Sequence, residues 1–495
     1  MNVNDKFIND LLTKVMKAAE SGISIDFNDG DEVGQYVISI LALGAELIPV
    51  IGGVLGAFTS LLGAIFFSSP MSMEKIWEGL RERIEKLIDS KIEQYHLEVL
   101  RQRIKGIQEN MKVYRQYLKD FKNATGADKE QAARTLQTSH VAFSSVVLAA
   151  LPQFQLDRFA VVSLPLFALV ANIYLALLVD GIKQGREWGY SPQNIKAMEA
   201  QFRAKTSPQQ GYRMPDDKDL SRQKSCLENA IKAGPALGIP ANVIDTWKEA
   251  YADLFESGKS PKDSNDDVDY VSYAKKIYIQ GRYQVKPYED VGDKGGADAG
   301  KYRAYAEYDT SMIMNVLNYA ELWPFMTGAS MTESAMKNLD REIFYGPFGR
   351  YAYYSSWDPS TPPRVDNRSS PITSLIVRAW DDIDGMQIKQ GQSWGSWQGS
   401  STGGAPKQLD LWADEWIKSF EVTYGHKLGK VKFVTNKGRS IENGNARHAT
   451  IKKSGAPPGY ELTSVIITNY ESHIPPGCEG IILGFRPLMT DPSRG

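Results

Sequence analysis

Three long stretches in the first 180 residues of this 495-residue chain carry almost no charge, and this pattern limits the possible folds most strongly. Residues 47–69 and 159–179 contain no charged side chain, and residues 135–156 contain His140 as their one titratable group. A helix of about 20 apolar residues can cross a bilayer, and a helix that is apolar on all sides can also form the centre of a large bundle. The sequence therefore predicts a helical bundle that holds membrane-length helices in its interior.

The overall composition is that of a water-soluble protein with two to four domains. The chain has 57 Lys and Arg against 59 Asp and Glu, a net charge of −2, and no long run of one sign, which argues against a nucleic-acid binder. Cys226 and Cys478 lie far apart, so neither a disulfide framework nor a cysteine-rich zinc site is predicted. The first residues lack the basic and apolar segments of a secretory signal peptide, so we expect synthesis without one.

Amphipathic helices are predicted around the uncharged stretches. Residues 76–117 place apolar side chains at steps of three and four, and a turn at 123–128 leads into a helix over 129–153. This last helix carries a polar stripe, predicted to lie opposite Val141, Leu148 and Leu151; its members are Arg134, Gln137, His140 and Ser144. Such a stripe is typical of a solvated surface helix or of a helix that lines a pore. Residues 159–179 have no stripe, so we expect them at the buried centre.

Residues 164–180 and the Gly-Arg-Glu-Trp-Gly at 185–189 resemble the central helix of the bacterial three-domain crystal (Cry) delta-endotoxins. Further similar stretches follow in the family's order: 48–54, Trp77 with 84–89, 151–154, and 314–325 before 339–343. The resemblance covers roughly residues 30–200 and 265–350. Tyr174 and Val179 depart from the pattern, because the family usually has His and Arg there, and residues 206–264 resemble an insertion of loops and one or two helices.

The resemblance implies a pore-forming domain in which a helical hairpin, 129–153 with 157–181, leaves the bundle and enters a membrane. Helices can enter lipid because they satisfy their own backbone hydrogen bonds. In the inserted state the polar stripe would face the lumen, and the apolar helix would face lipid or neighbouring helices. The residues assigned to the hairpin and its stripe are Arg134, Gln137, His140, Ser144, Leu164, Pro165, Phe167, Ala171, Asn172, Tyr174 and Leu178.

The second half of the chain repeats itself. The similar runs 372–377, 417–422 and 462–467 place Ser374, Ser419 and Ser464 at intervals of 45 residues, and a second strand-like run follows each one. This pattern predicts a three-fold β repeat with one hairpin per unit, as in a β-trefoil or a β-prism, and three units are too few for a propeller. Residues 376–387, 403–404 and 433–438 are similar to jacalin-like lectins, and this resemblance favours a β-prism.

Aromatic residues end the first strand of each repeat, and a hairpin loop follows each of them. We expect these three loops, 381–384, 425–429 and 471–479, to gather at one end and bind a receptor, although the rings would also suit a role in capping the strands. Two more aromatics lie in a Gly- and Ser-rich segment predicted to be a flexible loop. The candidate receptor-binding residues are Trp380, Asp381, Asp382, Trp394, Trp397, Tyr424, His426, Lys427, Tyr470, Glu471 and His473. Residues 480–484 lack the aspartate of the plant-lectin sugar site, so its glycan chemistry is not transferred.

Catalytic and cofactor signatures are weak throughout the sequence. Residues 295–301 have the spacing of a phosphate-binding loop, but Tyr302 replaces the Ser or Thr that would hold magnesium, and a linker fits better. The five histidines form no HxxxH or HxH pair, so no metal site is predicted. The sequence therefore predicts neither an enzyme nor a cofactor.

Together these patterns predict a multidomain α and β protein. Residues 1–335 would form an α-helical bundle around a central hydrophobic helix, and residues 336–495 a three-fold β-prism. By resemblance, the protein would be an insecticidal-type pore-forming toxin that binds a glycoprotein or glycan receptor on gut epithelial cells and then enters the lipid. We expect a monomer in solution, a homo-oligomer in the pore, and deposition in bacterial inclusions or release by lysis. The alternative is a lectin-like adhesin without pore activity.

Overall fold

The computed structural model describes residues 73–88, 91–207, 232, 269–286, 297–329, 332–339, 341–349, 371–425, 427–445, 447, 449–456, 460–468 and 478–487. The sequence predictions for residues 47–69, for most of the insertion at 206–264, and for His426, Tyr470, Glu471 and His473 lie outside this part of the chain.

The described residues fall into two compact units. The helical unit comprises the chain up to Gln284 together with Met314–Ala335, and the β unit comprises Val285–Ile313 together with the chain from Met336 onward. The chain passes from the helical unit to the β unit between Ala335 and Met336, the position of the predicted domain boundary. Val285–Ile313, predicted as part of the bundle, group with the β unit instead.

The helices in the described part of the chain are α1 Met73–Leu87, α2 Gln94–Asn123, α3 Ala127–Ala150, α4 Ala160–Gln184, α5 Pro192–Thr206, α6 Tyr270–Tyr283, α7 Ala297–Met312, α8 Asn318–Leu322 and α9 Glu333–Leu339. Short 3₁₀ turns cover Leu151–Phe154, Asp157–Phe159 and Trp323–Phe325, and Ile313–Leu317 has π-helical winding. The helical spacing at 76–117 corresponds to two helices, α1 and α2. Between them, the Glu85 carboxylate accepts the backbone N–H of Ile92 at 3.0 Å.

Helix α4 lies at the centre of the helical unit, as the sequence predicts. Every residue from Ala160 to Leu178 is buried, which is the expected result of a helix with no charged face. The segment Asp157–Gln184 is the one helix among the described residues that is long and apolar enough to cross a membrane by length and composition. By contrast, α2 buries one stripe at steps of three and four and exposes its charged face, as an amphipathic helix does.

The strands of the β unit form three antiparallel sheets, in the orders β1-β12-β11, β10-β7-β8-β9 and β4-β3-β2-β6, with β5 paired to β3. Their bounds are β1 Ile343–Gly349, β2 Ile372–Ala379, β3 Ile383–Gln390, β4 Ser393–Trp394, β5 Gln398–Gly399, β6 Ala405–Asp410, β7 Ile417–Gly425, β8 Leu428–Thr435, β9 Ser440–Gly444, β10 Ala449–Gly455, β11 Tyr460–Thr468 and β12 Gly480–Pro487. Each of the three sheets has fully buried apolar side chains, among them Leu375, Val422 and Leu483.

The three-fold repeat is visible in the strand register. A shift in register directly precedes Ser374 in β2, Ser419 in β7 and Ser464 in β11, so the irregularities recur at the predicted interval of 45 residues. Helix α7 covers β1, where Thr310 Oγ1 donates to the carbonyl of Phe344 at 3.3 Å. Three sheets, built from three hairpin units, correspond to the predicted β-prism.

Candidate membrane-insertion hairpin and receptor-binding loops

Helices α3 and α4 form the predicted hairpin. Two short 3₁₀ turns, Leu151–Phe154 and Asp157–Phe159, connect them, and Pro152 opens the first of these turns. With a rise of about 1.5 Å per residue, helices of 24 and 25 residues are each about 36 Å long or slightly more, which exceeds the ~30 Å hydrocarbon core of a bilayer. Each helix is therefore long enough to span a membrane.

The polar stripe of α3 does not lie on one solvent-facing side. Arg134 is exposed and pairs with Glu130 at 2.5 Å, whereas Gln137 and Ser144 are half-buried and His140 is only 2% exposed. Of the three apolar residues predicted to lie opposite the stripe, Val141 and Leu148 are 51% and 42% exposed, and Leu151 is buried. The helix buries Leu136, His140, Phe143 and Val147 instead. The stripe runs from the core to the solvent along one flank of α3.

His140 connects α3 to α4 and to the turn that follows α4. Its Nε2 lies 2.8 Å from the carbonyl of Leu177 and its Nδ1 lies 2.8 Å from the hydroxyl of Tyr190. A carbonyl can only accept, so Nε2 carries the proton, and Nδ1 of the neutral ring accepts the Tyr190 O–H. Burial lowers the pKa of His140 and outweighs the opposing hydrogen bond to Leu177. The imidazole is therefore a neutral bridge between two segments.

Gly181, near the end of α4, allows His140 to pack closely against this helix. A Cβ on Gly181 would lie 2.4 Å from Met198 Sδ and 3.0 Å from His140 Cε1. Only a residue without a side chain lets both groups approach the helix so closely. The rings of Trp188 and Tyr114 complete the surroundings of the imidazole, with centroids 5.3 Å and 5.9 Å away.

A second buried polar contact joins α4 to α2. The hydroxyl of Tyr114 donates to Asp180 Oδ2 at 3.1 Å, and both side chains are buried. Burial, followed by the charge and hydrogen bond of Asp180, raises the pKa of Tyr114 well above its usual value. Sequence reasoning did not identify this pair. Its one sequence signal is Asp180, the first charged residue after the uncharged stretch of α4.

A third polar contact joins α4 to the Trp323–Phe325 turn, where the indole Nε1–H of Trp323 donates to Asn172 Oδ1 at 2.5 Å. The Phe167 ring packs on Tyr273, with centroids 4.6 Å apart, and Tyr174 packs on Tyr270 at 6.5 Å. Burial raises the pKa of Tyr174. The other predicted residues of α4 are buried as well: Leu164, Pro165, Ala171 and Leu178. All seven predicted residues of α4 therefore face packed protein.

The turn at 380–382 and the turn at 425–427 meet at one end of the β-prism, joined by Cys478. The N–H of Cys478 donates to the carbonyl of Ile383 at 3.3 Å, and the carbonyl of Cys478 accepts the N–H of Leu428 at 3.0 Å. Lys427 Nζ lies 3.9 Å from Asp382 Oδ2. The described residues of the predicted loops, Asp382 and Lys427 among them, therefore come together at this end.

The exposed side chains of this end include Trp380, which is 78% exposed. Beside it, Asp381 accepts the side-chain amide of Asn445 at 2.5 Å and lies 3.6 Å from Arg447 Nη1. Neither Asn445 nor Arg447 was identified from the sequence, because they belong to the turn after β9. This end thus presents a large aromatic ring next to paired charges.

The prediction that Tyr424 contacts a receptor is wrong, because its side chain is fully buried. The turn hydrogen bonds show the reason: Trp380 N–H donates to the carbonyl of Asp382, and Gly425 N–H, not Tyr424, makes the matching bond to Lys427. Trp380 therefore corresponds to Gly425. The 45-residue spacing of the three serines would have indicated this alignment.

The prediction of a flexible loop around Trp394 and Trp397 is also wrong. Two short strands, β4 and β5, pair this segment with β3. Trp394 pairs with Lys389, at the end of β3 far from the 380–382 turn, and the Arg378 guanidinium lies 5.7 Å from the Trp397 ring. These two rings therefore lie along a sheet and not among the hairpin turns.

Two parts of the chain match known families. Residues 40–212 match the family described as delta endotoxin, N-terminal domain, and residues 345–459 match the jacalin-like lectin domain. The first match contains both α3 and α4, and the second contains the turns at 380–382 and 425–427.

Individual relatives agree with these matches. Pesticidal crystal protein Cry11Ba of Bacillus thuringiensis subsp. jegathesan is 30% identical over 171 residues, 34% of this chain and 21% of that protein. Pesticidal crystal protein Cry8Ba of Bacillus thuringiensis serovar kumamotoensis is 28% identical over 149 residues, 30% of this chain and 12% of that protein. The matched part of the chain thus spans about a fifth or less of these relatives' own lengths.

Solved structures share the fold at low sequence identity. The Bacillus thuringiensis insecticidal crystal protein Cry7Ca1 has a TM-score of 0.58 at 16% identity, over 92% of this chain and 75% of that one. PirB has a TM-score of 0.55 at 11% identity, over 92% of this chain and 94% of that one. The resemblance to the crystal delta-endotoxins is confirmed by the family matches: the chain combines a region that matches the delta-endotoxin N-terminal domain, with a central apolar helix, and a β region that matches the jacalin-like lectin domain.

Proposed function

We propose that this protein is an insecticidal-type pore-forming toxin, not an enzyme, which binds a target-cell surface and then inserts the α3–α4 hairpin into the membrane. One observation carries the proposal. The segment Asp157–Gln184 is long enough to cross a bilayer, its apolar part is buried from Ala160 to Leu178, and it lies inside the region that matches the delta-endotoxin N-terminal domain. A buried helix of this kind is also common in ordinary protein cores, so its position within that domain is decisive.

The contacts of the hairpin define what insertion must break. The polar contacts that tie it to the rest of the helical unit include Tyr114 with Asp180, Trp323 with Asn172, Tyr190 with His140, and the exposed ion pair of Arg158 with Glu93. The hydrogen bond between His140 and Leu177 lies within the hairpin and can survive its release. Once released, the two helices keep their backbone hydrogen bonds, so lipid can replace the lost protein neighbours.

In the inserted state, Arg134, Gln137, His140 and Ser144 line the lumen of a homo-oligomeric pore, and α4 faces lipid or neighbouring helices. The Trp380 end of the β-prism binds a glycoprotein or glycan receptor on the target cell. The matched relatives are named pesticidal crystal proteins, which supports deposition in bacterial inclusions and action at a host cell membrane.

Planar-bilayer recording tests the proposal directly. Purified protein, with and without protease trimming, is added to one side of a lipid bilayer under voltage. The toxin predicts discrete current steps, and the alternative of a lectin-like adhesin, which the jacalin-like match favours, predicts surface binding without current. Protein that binds target cells but never produces current would refute pore formation.

A further inference from the structure

Trp412 lies at the end of the β-prism opposite the Trp380 turns, in the segment between β6 and β7. Its side chain is 57% exposed. A single exposed tryptophan is common on protein surfaces, and exposure alone indicates nothing. The groups that hold this ring in place set it apart.

The indole of Trp412 lies on a guanidinium group that is itself fixed. Arg439 Cζ lies 4.4 Å from the centre of the indole ring. The Arg439 Nη1 and Nη2 groups both donate to the carbonyl of Asp410 at 3.1 Å, and Nη1 also donates to Glu415 Oε2 at 2.6 Å. A cation held this way supports one face of the ring, and more than half of the side chain stays accessible to a ligand.

The Glu415 carboxylate binds both the Arg439 guanidinium and the backbone of Trp412. Its side chain is fully buried, and Oε2 also accepts the backbone N–H of Trp412 at 3.1 Å. Burial raises the pKa of Glu415, but hydrogen bonds from Thr435, the Trp412 backbone and Arg439 outweigh it, so the net shift is downward. Buried ion pairs add little net stability. Orientation of the exposed ring therefore explains the arrangement better than stability does.

The surroundings of the ring define the ligand. Lys437 and Asp414, an ion pair at 2.6 Å, lie on the same two segments and are exposed, as is Asp410. A flat apolar face bordered by charged hydrogen-bonding groups fits a sugar, whose ring C–H groups stack on indole while its hydroxyls bind the polar border. A hydrocarbon chain would leave these charged groups desolvated and unpaired.

We propose that Trp412, Arg439 and Glu415, here called the Trp412 shelf, bind a pyranose ring of a cell-surface glycan. The rigid indole loses little conformational entropy when a sugar stacks on it. This inference rests on the proposed receptor binding for its biological setting. It adds a second contact, distant from the Trp380 turns, and names the chemistry of the partner.

A glycan array of neutral and sialylated oligosaccharides, probed with the full chain, tests the shelf. Trp412→Ala should weaken binding to the recognised glycans by about tenfold or more, and Trp412→Phe should retain part of it. Tyr95→Ala is the control, because Tyr95 is an exposed aromatic residue on α2 of the helical unit, outside the proposed receptor-binding residues, and this variant should bind these glycans as the wild type does. Unchanged thermal unfolding of Trp412→Ala would show that the loss is local.

Two results would overturn the Trp412 shelf: wild-type protein that binds no glycan on the array, or Trp412→Ala protein that binds as tightly as the wild type. The proposed pore activity is measured separately, by dye release from vesicles without glycan. Dye release with no glycan binding refutes the shelf alone. Glycan binding through Trp412 without dye release or bilayer current supports the shelf and refutes the pore.

Discussion

Helices α3 and α4 are consecutive and nearly equal in length, yet their surroundings differ completely. Helix α4 is buried on all sides, whereas α3 exposes Arg134 together with Val141 and Leu148. Among the described residues only the segment that contains α4 is long and apolar enough to cross a membrane, so hydropathy already separates the two. The difference in burial lies in their neighbours, because α4 has packed partners all around it and α3 has them on one side.

This difference gives the two helices different roles in the proposed insertion. Helix α4 remains in water only while the other helices cover it. Helix α3 already presents uncharged side chains to the solvent, so its transfer to a membrane exposes little new apolar surface. The hairpin is therefore held by the contacts of α4 and of His140, and changes at those positions should have the largest effects.

The largest expected effect comes from placing a charge in α4. Ala171→Asp would bury an unpaired carboxylate in a site with no exposed surface, and we expect a loss of unfolding free energy of about 4 kcal/mol or more. The matched change in α3, Ala142→Asp, lies on the exposed side and should cost about 1 kcal/mol or less, chiefly through the lower helix propensity of Asp. Urea unfolding followed by circular dichroism measures both, and equal losses would remove the contrast between the helices.

Removal of the His140 bridge should have the next largest effect. His140→Leu fills the buried site with an apolar side chain but removes the hydrogen-bond partner of the Leu177 carbonyl and of the Tyr190 hydroxyl. This change should lower the free energy of unfolding by about 2 kcal/mol. Ser144→Ala, on the same flank of α3, is the control and should cost far less, because its hydroxyl has no partner among the described residues. Equal stability of wild type and His140→Leu would contradict the bridge.

The same residue predicts a pH dependence. The unfolded chain binds a proton at His140 near pH 6.5, and the folded chain binds it only at lower pH, because burial lowers the pKa. Titration of His140 therefore leaves the free energy of unfolding unchanged above about pH 6.5 and lowers it as the pH falls below that value. Urea unfolding at about pH 7.5 and about pH 5.5 should show a smaller decrease in His140→Leu than in the wild type. Parallel decreases would rule out His140 as the source.

A smaller effect is expected for the contact between α2 and α4. Tyr114→Phe removes the hydroxyl that donates to Asp180, and we expect a cost of about 1 to 2 kcal/mol. Tyr174→Phe is the control, also on a buried tyrosine but without a hydrogen bond to a carboxylate described here. Thermal unfolding compares the two, and an equal shift in both would assign the effect to burial and not to the hydrogen bond.

The sequence was sufficient for some of these features and not for others. The buried position of α4 followed from its lack of charge, and the β repeat followed from Ser374, Ser419 and Ser464. The partners of α4 could not be predicted, because Tyr114 lies 66 residues from Asp180 and Trp323 lies 151 residues from Asn172. Local periodicity carries no information about such contacts.

The errors also have physical reasons. Polarity alone predicts an exposed stripe on α3, but a neutral histidine with both ring nitrogens hydrogen-bonded is stable in a core, and isolated apolar side chains are tolerated in water. Tyr424 was matched to Trp380 by residue type, whereas the strand register aligns Trp380 with Gly425. Position in the repeat was the better guide.

The most direct test of the account locks α4 inside the bundle. Phe167→Cys with Tyr273→Cys places two thiols where the rings lie 4.6 Å apart, on α4 and α6, and a short bifunctional thiol reagent joins them. Should the reduced protein fail to fold, Tyr174→Cys with Tyr270→Cys offers a second pair between the same helices. Each variant with only one of the two introduced cysteines, besides the native Cys226 and Cys478, is treated with the same reagent as the control, and mass spectrometry confirms which cysteines are linked. If α4 inserts into the membrane, the linked protein releases no dye from vesicles, whereas the unlinked double variant does. Dye release at an undiminished rate from the linked protein would contradict insertion of α4.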